Sequence, residues 1–432
     1  MMTNGITPEG RGVTPQGREG ATGASAIGTP TIGASTRASA IRESTIGELA
    51  RGLLAFIGPD ADVWSFYDLT DRVYRLHGWR WDTGIVLEAL VMAAAHENDA
   101  SFLSAARAVG DRLVAARLSP VAHPDCPGGF PEWTDERYRP PFAGHRQWVV
   151  PFNAAFIAAG LMRLADATGE GAYRVAAREG MLLAATRGMT PSGGVSGYYF
   201  EKKKMWRYLG QINDSGILGR GFALFPDEDW ARQAAAAAAN CILSKADPTD
   251  GHIPRAWRDK AQGETAPGKP LFPEWKRHPG RIVGKIFLRG QAWTLMGLTG
   301  AVKLGAGLGV FEGGRRLAAY ILRAQRPDGS WLYSGLQPEL GVCAKTTAAL
   351  ALALAEWSRA TEDPTALPAV DWALGFLESC RRPGETPSEL AALPVDPSVE
   401  GGIISFRGRP VVCAYGAALE LLARLARLVC GV

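Results

Sequence analysis

Paired cysteines are missing from this sequence. Its six thiols (Cys126, Cys241, Cys343, Cys380, Cys413 and Cys430) are scattered through 432 residues without paired spacing. A disulfide framework is therefore not expected, and reduced thiols in a cytoplasmic protein are. His123-Pro124-Asp125-Cys126 is a lone His/Cys cluster with no second ligand pair behind it, so neither a metal nor another cofactor is expected. No run of about 18 apolar residues occurs, so no segment is expected to span a membrane. Charge of one sign is also scarce. The net +4, from 47 basic and 43 acidic side chains, is too small and too dispersed for a nucleic-acid partner, though it tolerates an acidic small molecule.

Large apolar side chains are nearly absent from residues 1–40, which are mostly Gly, Thr, Ser, Ala and Pro. Such a composition cannot bury enough surface to offset ordering entropy, so this segment is expected to be disordered. It has no apolar run behind a basic start, so no secretory leader is expected. The rest, 41–432, is expected to be one all-α domain, because strand signals are sparse.

What the chain has in quantity is helix of two alternating kinds. Stretches 83–95, 151–164, 215–225, 290–304, 346–357 and 414–428 are rich in Ala, Gly and Leu and poor in charge. Stretches 41–57, 100–118, 172–187, 229–246, 312–325 and 367–380 are amphipathic and charged. Helices apolar all round are buried, and helices with one polar face line the outside. Six of each in alternation predict an (α/α)6 toroid, an inner ring inside an outer one.

In a toroid every inner helix runs the same way, so the residues at their N-termini gather at one end. There stand Gly78-Trp79-Arg80-Trp81-Asp82, His145-Arg146-Gln147-Trp148 with Asn153, and Asp214. Arg289-Gly290-Gln291-Ala292-Trp293, Lys345, and Arg407, Arg409 and Tyr415 complete the set. Indole faces stack on sugar rings, while Arg and Gln hydrogen-bond hydroxyls or a carboxylate. The expected substrate-binding set is Trp81, Asp82, Trp148, Asn153, Arg289, Gln291, Trp293 and Lys345. Asp214, in Gly210-Gln211-Ile212-Asn213-Asp214-Ser215-Gly216, places a carboxylate at the start of an apolar helix. It reads either as a helix N-cap or as a proton donor in a sugar-processing enzyme.

Arg289-Gly290-Gln291-Ala292-Trp293 resembles a motif of the unsaturated glucuronyl hydrolases, a glycoside hydrolase family with relatives acting on rhamnogalacturonan. Ile212-Asn213-Asp214 is similar to the segment carrying that family's catalytic aspartate. Gln325-Arg326-Pro327-Asp328-Gly329-Ser330-Trp331 resembles its Asp-Gly-Xaa-Trp turn. The resemblance implies that Asp214 protonates C4 of an unsaturated uronide and then, as its conjugate base, activates water for attack at C5. Arg289, Lys345 or Arg407 would pair with the uronate, and Trp81, Trp148 or Trp293 would stack on the rings. The partner implied is an oligosaccharide, the protein itself being a monomer or homodimer. One departure matters: the family's second aspartate corresponds here to Asn153, which keeps the shape but loses the charge.

Other readings stay open. An inverting glycosidase needs two carboxylates, for which Asp82 or Glu88 would partner Asp214. A lyase or epimerase would draw its base from Tyr198, Tyr199 or His252. A non-catalytic glycan-binding toroid would account for Asn153. The terpene cyclase reading is disfavoured by the absence of an Asp-Xaa-Asp-Asp run. Lys202-Lys203-Lys204 reads as a solvated loop, and 261–279 as a long loop between inner helices.

Overall fold

The structure is a computed structural model, described over residues 44–132, 148–190, 193–194, 198–200, 204–207, 216–254, 288–335, 338, 341–397 and 409–431. The chain divides into two units, Met1–Ala40 and Ile41–Val432, the second of them compact. Every described residue belongs to the second, so the expectation for residues 1–40 lies outside them. Asp214, Arg407 and the loop 261–279 also lie outside the described residues.

Among the described residues twelve α-helices alternate between two roles. The inner ones are α2 (Arg80–Glu97), α4 (Pro151–Thr168), α6 (Leu218–Phe222), α8 (Leu288–Lys303), α10 (Ala344–Thr361) and α12 (Ala414–Val429). Their packing runs α2 on α4, α4 on α6, α6 on α8, α8 on α10, α10 on α12 and α12 back on α2, which closes the ring. The outer ones are α1 (Ser44–Leu54), α3 (Ala100–Ala115), α5 (Gly171–Leu183), α7 (Asp229–Leu243), α9 (Leu308–Arg323) and α11 (Leu367–Ser379). α1 closes the outer layer by packing on both α12 and α2. This is the (α/α)6 toroid that the alternation predicts.

The cause is side-chain chemistry. In α10 every residue from Ala344 to Ser358 is buried, so the helix has no face to offer water. Each fully buried leucine there, such as Leu350 or Leu354, contributes about 1.5–3 kcal/mol. In α3 only one stripe is buried (Phe102, Ala106, Val109, Gly110 and Leu113), and Asp99 caps its start by accepting from Ser101 N at 2.8 Å. Glycine lets the inner helices touch backbone to backbone. A Cβ at Gly219 would lie 2.2 Å from Gly297 O, and one at Gly300 would lie 2.2 Å from Gly219 O. Likewise a Cβ at Gly84 would lie 2.7 Å from Ile157 N, and one at Gly160 would lie 2.9 Å from Leu87 Cγ. Positions rise together on both partners, so α2 and α4 run parallel and start at one end of the ring.

The expectation of sparse strands needs qualification. β1 (Trp64–Asp68), β2 (Val73–His77), β6 (Val395–Asp396) and β7 (Val411–Cys413) form a four-stranded antiparallel sheet in the order β2-β1-β7-β6. A smaller sheet joins β3 (Trp148–Val149), β4 (Tyr198–Phe200) and β5 (Met205–Arg207) in chain order. The strands are short and interrupted by loops, so their period-2 pattern is too brief to read from the sequence. Both sheets lie in connections that lead into inner helices: β7 runs directly into α12, and β3 ends just before α4.

Candidate active site

Four rings from four inner helices meet at the leading end of the toroid. Trp81 (α2) lies 4.6 Å from Tyr415 (α12), 5.7 Å from Phe156 (α4) and 6.5 Å from Trp293 (α8), centroid to centroid. Phe156 meets Trp293 edge to face at 5.0 Å. Arg289, half-buried at the start of α8, holds its guanidinium carbon 5.8 Å from the Trp81 ring centre and 5.5 Å from that of Tyr415. It also donates to the Tyr415 hydroxyl. A guanidinium stacked on two rings keeps its edge directed at whatever binds beside it.

The start of α2 is fixed from behind. Asp62, fully buried, accepts from Arg80 Nη1 at 2.6 Å and from Arg112 Nε at 2.9 Å. Trp79 stands edge-on to Trp81 at 5.0 Å, and its indole N–H donates to Glu132 at 3.3 Å. Trp81 and Asp82 are thereby presented on a rigid turn.

Asp82 is fully buried. Desolvation pushes its pKa up to about 8, against the weaker opposing pulls of Ser65, Arg289 and Lys345. Ser65 of β1 stands beside it and favours the charged form through its hydroxyl, but no charged side chain among the described residues hydrogen-bonds either carboxyl oxygen. At neutral pH Asp82 is a carboxylic acid. Asn153, in the first turn of α4, is also fully buried, and neither its Oδ1 nor its Nδ2 is paired.

Two expected binding residues have other work. Gln291 is buried with both ends of its amide engaged: Nε2 donates to Ile253 O at 2.7 Å, and Oε1 accepts from Ile253 N at 2.9 Å. It ties the 250–253 turn to α8. Lys345 is buried with Nζ 3.3 Å from Asp396, and Asp396 also accepts from Lys345 N at 3.2 Å. Burial disfavours the ammonium, but the carboxylate of Asp396 overrides it and holds Lys345 charged, above the usual lysine range. Its role is to keep the start of α10 in place.

Trp148 is placed by its backbone alone, in β3 opposite Phe200. Arg409 is not directed at the rings; it pairs with Asp68 at 3.2 Å and Asp71 at 2.7 Å in the β1–β2 turn. Glu88 gives both oxygens to Arg220 at 2.9 Å, and Arg220 also binds Glu356 at 2.8 Å. That buried ion pair makes Glu88 a poor second carboxylate for an inverting glycosidase. Tyr199 donates to Asp125 at 3.0 Å, and His252 is held by Asp250 at 2.7 Å, so these candidate lyase bases also have structural partners. Ser65, Phe156 and Glu132 were not legible as site residues; their chain positions carry no signal, because the sheet and the ring packing bring them in.

Among the described residues two groups offer three metal-ligand atoms each: Asp60, Asp62 and His77, and Asp247, Asp250 and His252. In the first, two arginines already neutralise Asp62. In the second, Asp247 accepts from Thr249 N at 2.8 Å within its own turn. Each group is accounted for by its own contacts.

No family model matches the sequence, and no curated protein matches it. Solved structures do. An unsaturated glucuronyl hydrolase specific for heparin shares 15% identity over 90% of this chain and 96% of its own, with a TM-score of 0.66. The chain has the fold of the unsaturated glucuronyl hydrolases. A second one, from Bacillus sp. GL1, gives a TM-score of 0.64 at 15% identity over 88% of this chain and 94% of its own. The same fold serves a cellobiose 2-epimerase from Bacillus thermoamylovorans, with a TM-score of 0.61 at 12% identity over 89% of this chain and 99% of its own. The toroid is thus common to hydrolase and epimerase, and the reaction has to be argued from the side chains.

Proposed function

We propose that this protein is a hydrolase of oligosaccharides that end in an unsaturated uronic acid. One observation carries the reading: the Arg289 guanidinium lies over Trp81 and Tyr415, inside a ring of aromatics at the leading ends of the inner helices. Rings accept the apolar face of a sugar, and a guanidinium beside them pairs with a uronate carboxylate. Asp214 is assigned the proton donor. It adds a proton to C4 of the enol ether, and the carboxylate it becomes takes a proton from the water that attacks C5. The hemiketal so formed opens and the remaining sugar departs. No helix among the described residues is long and apolar enough to cross a membrane.

The test is a panel of lyase-generated unsaturated disaccharides, followed by loss of the enol-ether absorbance. Asp214→Asn is expected to remove turnover, a loss of at least about 10²–10⁴-fold, with folding intact. Full activity in that variant would remove the assignment. Asn153, neutral where the resembled family carries an aspartate, favours a second reading as a glycan-binding toroid without turnover. Tight uronide binding with unchanged absorbance would select it.

A further inference from the structure

Most buried polar groups on the inner helices are satisfied. Glu88 and Glu356 share Arg220, Lys345 has Asp396, and Gln291 has the backbone of Ile253. Asp82 and Asn153, both fully buried, have no such partner among the described residues; Ser65 is the polar neighbour of Asp82. They also stand at one level. Gly84 abuts Phe156 and Ile157 while Leu87 abuts Gly160, so the first turns of the parallel helices α2 and α4 lie side by side. Asp82 faces Arg289 at this end of the ring with no charged partner at hydrogen-bond distance among the described residues, which leaves its carboxyl group able to bond a ligand.

We propose that Asp82 is the second carboxyl group of the sugar site and meets an acidic sugar as a neutral hydrogen-bond donor. The proposal rests on the reading of a uronide site given above, and it moves the acid missing at Asn153 onto the adjacent helix. The groups facing Asp82 are Ser65 from β1, Arg289 from α8, Lys345 from α10, and Cys413 and Tyr415 from the β7–α12 junction. Burial raises both the Cys413 thiol and the Tyr415 phenol, so neither ionises before Asp82 does. Arg289 and Lys345 are cations throughout, and desolvation outweighs their pull on Asp82. A neutral acid here supplies an O–H to a sugar oxygen and sets no negative charge against the uronate that Arg289 would pair.

The test is binding of glucuronic acid and of an unsaturated uronyl disaccharide to the full-length chain, by calorimetry from pH 5 to pH 10 in buffers of different ionisation heat. The expected Kd is level up to about pH 8 and rises about tenfold per pH unit above it, with uptake of about one proton per ligand bound. Asp82→Asn, which keeps an N–H donor, is expected to lose both the slope and the uptake, and Asp82→Ala to bind more weakly at every pH. A level Kd in the wild type, a slope that survives Asp82→Asn, or no binding of either probe overturns the proposal. Turnover is read separately from the enol-ether absorbance. Proton-linked binding without turnover refutes the reaction and leaves the role of Asp82 standing; turnover with pH-independent binding does the reverse. The Asp82→Asn midpoint of thermal unfolding at pH 6 is expected at or above the wild type, and a marked fall would give Asp82 a structural role instead.

Discussion

Asp82 and Glu88 belong to one helix, fewer than two turns apart, and both are buried. Glu88 gives each oxygen to Arg220 at 2.9 Å, and a second carboxylate, Glu356, balances that arginine. Asp82 has only the Ser65 hydroxyl beside it and no charged partner at hydrogen-bond distance, and desolvation keeps its proton on up to about pH 8. The same helix thus carries one acid whose electrostatics are complete and another whose electrostatics await a partner. The deeper acid holds three inner helices together. The one at the leading end costs the fold free energy, as functional groups commonly do.

That contrast can be broken at several points. Arg220→Met strands Glu88 and Glu356 as unpaired buried charges and is expected to cost about 3–5 kcal/mol in denaturant unfolding. A loss below about 1 kcal/mol would show that the triad is not what joins α2, α6 and α10. Gln291→Leu leaves the N–H and carbonyl of Ile253 unpaired, for an expected cost of about 1–3 kcal/mol without loss of uronide binding. Lost binding at unchanged stability would return Gln291 to the ligand-contacting set.

The acid at the leading end should show itself through pH. In the unfolded chain an aspartate ionises near pH 4, whereas in the folded chain Asp82 keeps its proton to about pH 8. Between these values the folded state binds one more proton than the unfolded. The stability owed to Asp82 is therefore full below about pH 4, declines through the window and is gone above about pH 8, at up to about 1.4 kcal/mol per pH unit. Chemical denaturation of wild type and Asp82→Asn across that range checks it, because the slope should shrink in the variant. The smallest expected effect is that of Asp82→Asn at pH 5, under about 1 kcal/mol, since one neutral unpaired group replaces another.

Much of the scaffold was legible in the chain. Segments such as 346–357 offer no polar face, so they had to be inner helices, and Asp229–Leu243, with one charged side, had to be outer. The gathering of Trp81, Asp82, Asn153, Arg289 and Trp293 at one end followed from that alternation. Their individual duties did not. Gln291 and Lys345 look like Arg289 in sequence, each polar at the start of an inner helix, and only their partners Ile253 and Asp396 assign them to structure.

By itself the sequence determined the two rings, because burial of an all-apolar helix depends on composition and period, which are local. Tertiary structure alone decided which polar groups are spoken for. A charge's partner is set by elements far apart in the chain: Arg220 lies 132 residues from Glu88 and 136 from Glu356. The proton on Asp82 is likewise a property of its surroundings, since desolvation by the assembled ring, and not its identity as aspartate, keeps it there.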